Sequence, residues 1–255
     1  MVSRALAAKE WRETRWKHLV GLLVLSGLGV VIVATFEWVR GMGDMLKAIP
    51  LPPEAAGMLA AQLSNHYVYL WTNWYSKNLY QIATILALVV GMSVVAAETG
   101  RGTLGFLFTR PLSRTAIFTT KYLVGAAGLA AAITGSTLVT WAAAIAWGYP
   151  VALARFAPGL APALAGTLVV YGLAVVCSAL SRDQVRAGVA AALAALVLSV
   201  PGYFPRTAAF SVFRQMQAVY YLSTGSLRWD ALAGVLAVAL ILALAAGYLF
   251  VRKEA

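Results

Sequence analysis

Long charge-free apolar runs, separated by short charged clusters, dominate the chain from end to end. They cover residues 18–36, 78–97, 122–154, 156–181, 187–205 and 231–251. A charge at the centre of an inserting helix costs about 2.5–3.5 kcal/mol, so the absence of charge marks candidate spans. Each run is long enough to cross a hydrocarbon core of about 30 Å at about 1.5 Å per residue. The third run is too long for one crossing, and Gly148-Tyr149-Pro150 is expected to end its helix. Pro158 and Pro162 place the start of the fourth span near them, because proline is tolerated in a first helical turn. No run alternates apolar with polar as a barrel strand would. The pattern predicts an all-α membrane protein of six spans near 19–36, 79–97, 122–147, 160–181, 187–204 and 231–250, in one domain over 1–255.

The first apolar run, at about 19 residues, exceeds the core of a signal peptide, and no A-x-A-like site precedes Glu37, so an uncleaved span is expected. Ahead of it, residues 3–17 are rich in helix formers and in charge of both signs. Trp11 and Trp16 fall about 140° apart on a helix and define no apolar stripe. An interfacial helix over residues 1–18 is expected there.

Composition agrees with the pattern. Hydrophobic residues make up 61% and charged residues 11%, against about 25% charged in soluble domains. That excludes a disordered tail and an ordinary soluble domain. A net charge of +11 would otherwise suggest a nucleic-acid partner, which this apolarity argues against. The charge instead sets orientation. With the N-terminus inside, the inner segments hold thirteen Lys and Arg and the outer segments seven, so both termini are expected in the cytoplasm. The single Cys177 provides neither a disulfide framework nor a cysteine metal site.

The first outer segment, about 37–77, is the longest. It carries Pro50-Leu51-Pro52-Pro53 and closes on Tyr67, Tyr69, Trp71, Trp74, Tyr75 and Tyr80. These rings are expected as a headgroup-level belt, with a lining for an amphipathic substrate as the alternative. In residues 207–221, Phe210, Phe213, Met216 and Tyr220 at helical spacing suggest a short helix, resting on the interface or on neighbouring outer loops.

Catalytic patterns are absent. The chain contains no Gly-Lys pair, hence no phosphate-cradling loop, and neither G-x-S-x-G nor H-E-x-x-H. His18 and His66 flank a span and sit in an outer loop. The span interiors carry no ionisable relay, only amides and hydroxyls such as Gln81, Ser93, Thr137 and Ser178, which read as helix-packing groups. The chain is therefore expected to be no enzyme and to bind no cofactor of its own.

The segment 98–121 stands apart, with an acid at its start, four basic residues and the apolar run Leu104-Gly105-Phe106-Leu107-Phe108. Such a run is costly in water and is expected to meet membrane or protein. Ser113 is placed to cap a helix starting at Arg114. From the residues alone, a loop resting on lipid and a docking loop are both open.

The pattern E-x-x-R-G-T-L-x-F-L-x-x-R-P-L-S-R-x-x-I-x-x-x-K from Glu98 to Lys121 resembles the segment after the second span in type-2 ABC transporter permeases, the membrane subunits of ATP-binding-cassette exporters. The charged N-terminal helix, the six runs, the long first outer loop and the ending Leu249-Phe250-Val251-Arg252-Lys253-Glu254 are similar as well. The sequence departs in carrying Phe106 and Phe108 where leucine is expected. The resemblance implies a coupling helix that contacts a separate cytoplasmic ATPase, with ATP bound on that partner and two permease copies working together. Carried over by position, the contacts would be Glu98, Arg101, Gly102, Thr103, Arg110, Pro111 and Arg114, with Arg182 and Arg186 as a second region. The remaining alternatives are a membrane anchor without transport, or a passive channel or carrier.

Overall fold

In the computed structural model, residues 4–43, 45, 50, 52–109 and 111–253 are described. Among them there is no strand. Nine helices carry the architecture: α1 (Arg4–Ala34), α2 (His66–Asn73), α3 (Tyr80–Gly91), α4 (Ala96–Gly100), α5 (Leu104–Phe108), α6 (Arg114–Ala146), α7 (Leu160–Leu180), α8 (Gln184–Ser199) and α9 (Trp229–Arg252). Further helices connect them, including Pro53–Ser64, Val212–Met216 and Val219–Thr224.

The N-terminal segment and the first span form one uninterrupted helix of 31 residues rather than an interfacial helix followed by a span. Leu6, Glu10, His18, Gly21, Leu25, Gly29 and Ile32 share one buried face. The stripe escaped hydropathy because two of its members, Glu10 and His18, are polar. That face lies on α6, its most extensive partner. Gly29 is required at the crossing, since a Cβ there would overlap the Thr140 side chain. Small residues let spanning helices approach closely where no hydrophobic drive separates helix from lipid.

The second expected span is the one the structure revises. Asn65 caps its start, accepting from the amides of Tyr67 (2.9 Å) and Val68 (3.4 Å). The helix then continues through a π turn, Trp74–Leu79, into α3. It breaks after Gly91 and resumes at Ala96. Ser178 of α7 splices the break. Its hydroxyl accepts from the amides of Val95 (3.0 Å) and Ala96 (2.8 Å) and donates to the Met92 carbonyl (2.9 Å). Backbone groups freed at membrane depth must find such partners.

The expected ends hold elsewhere. Ser113 caps α6, its oxygen accepting from the Ala116 amide at 3.2 Å. The same helix stops at Ala146, just before Gly148 in a left-handed conformation. A 3-10 turn containing Pro158 leads into α7. Asp183 caps α8, accepting from the Arg186 amide at 2.9 Å.

The aromatic patch is a core, not a belt. Trp71, Trp74 and Tyr75 are fully buried and Tyr69 nearly so. The π turn winds Trp74, Tyr75 and Leu79 to the inside together. Trp74 Nε1 donates to Thr137 Oγ1 (3.2 Å), and the Tyr75 hydroxyl donates to the Phe156 carbonyl (2.9 Å). The expected helix near 207–221 is divided by Ala218, at φ +51°, into Val212–Met216 and Val219–Thr224. Its Met216 is buried against Gly166 of α7, while Phe210 and Tyr220 face out.

Among the described residues, five helical stretches are long and apolar enough to cross a membrane: 4–41, 114–146, 153–180, 184–203 and 229–252. α7 is the most enclosed. α8 and α9 turn wide apolar faces outward, with Val189, Leu193, Leu196, Leu240 and Leu244 exposed. Such faces suit lipid. The described residues near both termini, 92–109, 111–121 and 179–186 gather at one end of the bundle; the aromatic core lies at the other.

Candidate functional site

The termini-bearing end is built around Lys121, at the base of α6. Its ammonium lies 2.7 Å from Glu10 Oε1 and 3.3 Å from Glu98 Oε1, with only 4% of its side chain exposed. Lys9 adds a second cation, 3.6 Å from Glu98 and 3.4 Å from Glu13. Thr103, in the turn after α4, donates its hydroxyl to Glu98 Oε2. Three parts of the chain (the start of α1, the segment 98–103 and the foot of α6) are thus joined by one set of ionic contacts. Burial would raise the Glu98 carboxyl, but Lys121, the Thr103 hydroxyl and Lys9 outweigh it and hold the group below the usual carboxylate range. The carboxylates of Glu10, Glu13 and Glu98 converge within 4.8 Å. Lys9 and Lys121 lie among them as counter-ions.

This base positions the segment singled out by sequence. Gly102 turns the chain at φ +69°, a conformation that suits glycine and disfavours other residues. Leu104 and Leu107 of α5 then plug into a core with Leu6, Val95, Ile117 and Phe250. The apolar run therefore meets protein through its two leucines, while Phe106 points outward, 69% exposed. Arg101, Gly102, Thr103 and Pro111 are exposed beside it. Arg110 lies outside the described residues.

One of the expected contacts, Glu98, lies behind the surface, and Arg114, though exposed, is engaged within the chain. Glu98 is only 6% exposed and is occupied by the ion network. Arg114 places its guanidinium over the Phe108 ring (4.1 Å) and donates to the carbonyls of Val251 (2.9 Å) and Lys253 (3.0 Å), tying the C-terminus down. Arg182 and Arg186 are exposed. The Arg186 guanidinium pairs with Asp183 at 3.1 Å. The 182–183 turn backs onto Gly100, so this turn and the segment 98–103 form one continuous surface.

Sequence reasoning missed Lys9, Glu10 and Lys253. Lys253 donates to the carbonyls of Ala179 (2.7 Å) and Ser181 (2.8 Å), closing the C-terminal end of α7. The signal for Glu10 is its four-residue spacing from Leu6, which puts the two on one helix face; Lys9 carries no such signal.

Residues 4–255 match the family described as ABC-2 family transporter protein. The chain belongs to the ABC-2 transporter family. No curated protein matches it. As a member of this family it is a multi-pass membrane permease component of an ABC transporter. The segment 98–121 rests on an ionic base that also grips α1 and α6.

Proposed function

We propose that this ABC-2 permease is the membrane half of an exporter driven by a separate cytoplasmic ATPase that carries all the ATP, and that two copies of the chain make up one transporter. Six crossings and a cytoplasmic position for both termini complete the reading. Contacts from Lys9 to Glu98 and from Arg114 to Val251 gather both ends of the chain at one face, and an even number of crossings is needed to return there. The sixth crossing would be the helix from His66 through the π turn to Gly91. Among the described residues, twelve Lys and Arg belong to that same end.

The observation that carries the reading is the exposed ridge of Arg101, Gly102, Thr103 and Phe106 mounted on the buried Glu98–Lys121–Glu10 network. A push on the ridge is transmitted to α1 and α6 together, because all three share the same ion pairs. The energy comes from a partner whose ATP-bound state favours one arrangement of the bundle.

The purified chain alone should show no ATP turnover. Co-expressed with its partner cassette ATPase, the chain should copurify and alter that enzyme's turnover. The double variant Arg101→Glu/Phe106→Asp should reduce both by about tenfold or more, as loss of a central interface contact does, without shifting the chain's own thermal unfolding. Turnover by the chain alone, or unchanged copurification, would contradict the proposal.

A further inference from the structure

α3 and α8 do not close on each other over their halves nearest the outer loops. Between them, under Gly202–Tyr203 and the helix Val212–Met216, lies a cavity of about 910 Å³. That is within the range of about 300–1,000 Å³ typical of small-molecule sites. Its lining changes with depth. Arg214, Gln217, Tyr203 and Gln81 stand at the loop end, and Ile85, Leu88, Ala192 and Leu196 follow further in. From Tyr80 to Leu88 the groove runs about 12 Å along α3. Ile85 and Leu196 are 56% and 65% exposed, so the aliphatic half is open at its side.

The charge in the groove is one-sided. No Asp or Glu lines it. Among the described residues the Arg214 guanidinium has neither an ion pair nor a hydrogen bond; only its backbone amide is engaged, by Ser211. Among the described residues, Glu37 pairs with Arg40 and Asp230 with Arg228, each at 3.0 Å. A guanidinium with its donors free, beside two amides and above an aliphatic slot, matches an oxyanion attached to an alkyl chain.

We propose that this groove binds an amphipath with a single anionic headgroup, drawn sideways from the bilayer, with the oxyanion on Arg214 and the chain between α3 and α8. Resting on the exporter reading above, the same chemistry is assigned to the cargo.

The test is native mass spectrometry of the full chain in neutral detergent, comparing lyso-phosphatidylglycerol with lyso-phosphatidylcholine of the same acyl chain. The wild type should retain the anionic lipid about tenfold better, the scale of one charge-assisted contact. Arg214→Gln should abolish the preference, Leu196→Trp should reduce retention of both lipids, and Arg228→Gln should behave as wild type. Inorganic phosphate, which lacks the chain, should not displace the lipid. Equal retention by the wild type, an unchanged preference in Arg214→Gln, or displacement by phosphate alone would each overturn the site. A second arm uses the assembled complex: stimulation of ATP turnover by the anionic lipid, lost in Arg214→Gln, supports the cargo assignment. Binding without stimulation overturns that assignment and leaves a resident-lipid site. Failure of any complex to assemble would count against the exporter reading, while the binding arm still decides the groove.

Discussion

Lys121 shows how much can depend on one side chain that hydropathy marks only as the end of a loop. It sits between Glu10 and Glu98 at 2.7 and 3.3 Å, nearly sealed from solvent. Removing one partner of a buried ionic group costs about 3–5 kcal/mol, because the remaining charges stay buried without compensation. Lys121→Gln should therefore lower the thermal midpoint of the purified chain strongly, and Glu13→Gln, at the exposed edge, should barely change it. The pH dependence has a definite sign. Glu98 is held below its ordinary value in the folded chain, so its contribution is present above the unfolded carboxylate value and is lost as pH falls through the lower folded one. The stability gap between wild type and Glu98→Gln should stay constant from neutral pH to about 5 and close below about 4, given an unperturbed glutamate near 4.3. A gap that closed between pH 8 and 6 would contradict this assignment. Glu98 and Lys121 were visible in the sequence as charges at the two ends of one segment. That they meet, and that Glu10 joins them, depends on the path of α1.

Among the elements, the helix from His66 to the break after Gly91 departs most from its apolar pattern. Hydropathy over 79–97 reads as one plain span, yet the chain winds as α, then π, then α, and opens at 92–95. Window averages do not register either event, since Ser178, which satisfies the opening, lies 82 residues on from Ala96. Ser178→Ala would leave the Val95 and Ala96 amides without their acceptor, at about 1–3 kcal/mol. Amide exchange at these two positions should accelerate while exchange in the middle of α6 stays slow; equal protection in the variant would show that the splice is not structural. The aromatic residues of this element were legible as a group and misassigned in place. Their number suggested a headgroup belt, whereas the π turn and the Thr137 and Phe156 partners draw them inside. Local capping was more transparent, because Ser113 and its acceptor role toward Ala116 lie three residues apart.

At the scale of the whole molecule, topology is the property most open to a direct check. A cysteine at Thr109, in a Cys177→Ala background, should be unreactive toward a membrane-impermeant maleimide added to intact cells and reactive after lysis. A cysteine at Thr207 should react in intact cells. The reverse pattern would invert the orientation and remove the proposed ATPase contact. The membrane character, the helical class, the position of most helix ends and the family resemblance of residues 98–121 were all determined by the amino-acid sequence alone, because they depend on local quantities: charge-free length, turn chemistry and neighbours a few residues apart. Only the tertiary structure decided that the N-terminal helix is part of the first long helix, that Glu98 holds the segment 98–121 from behind while Arg114 ties it to the C-terminus, and that a groove lined by Arg214 lies between α3 and α8. These depend on contacts between residues from 23 to more than 130 positions apart, such as Lys121 with Glu98 and Arg114 with Val251. Apolar periodicity says which residues leave water. It does not say which partner each of them meets.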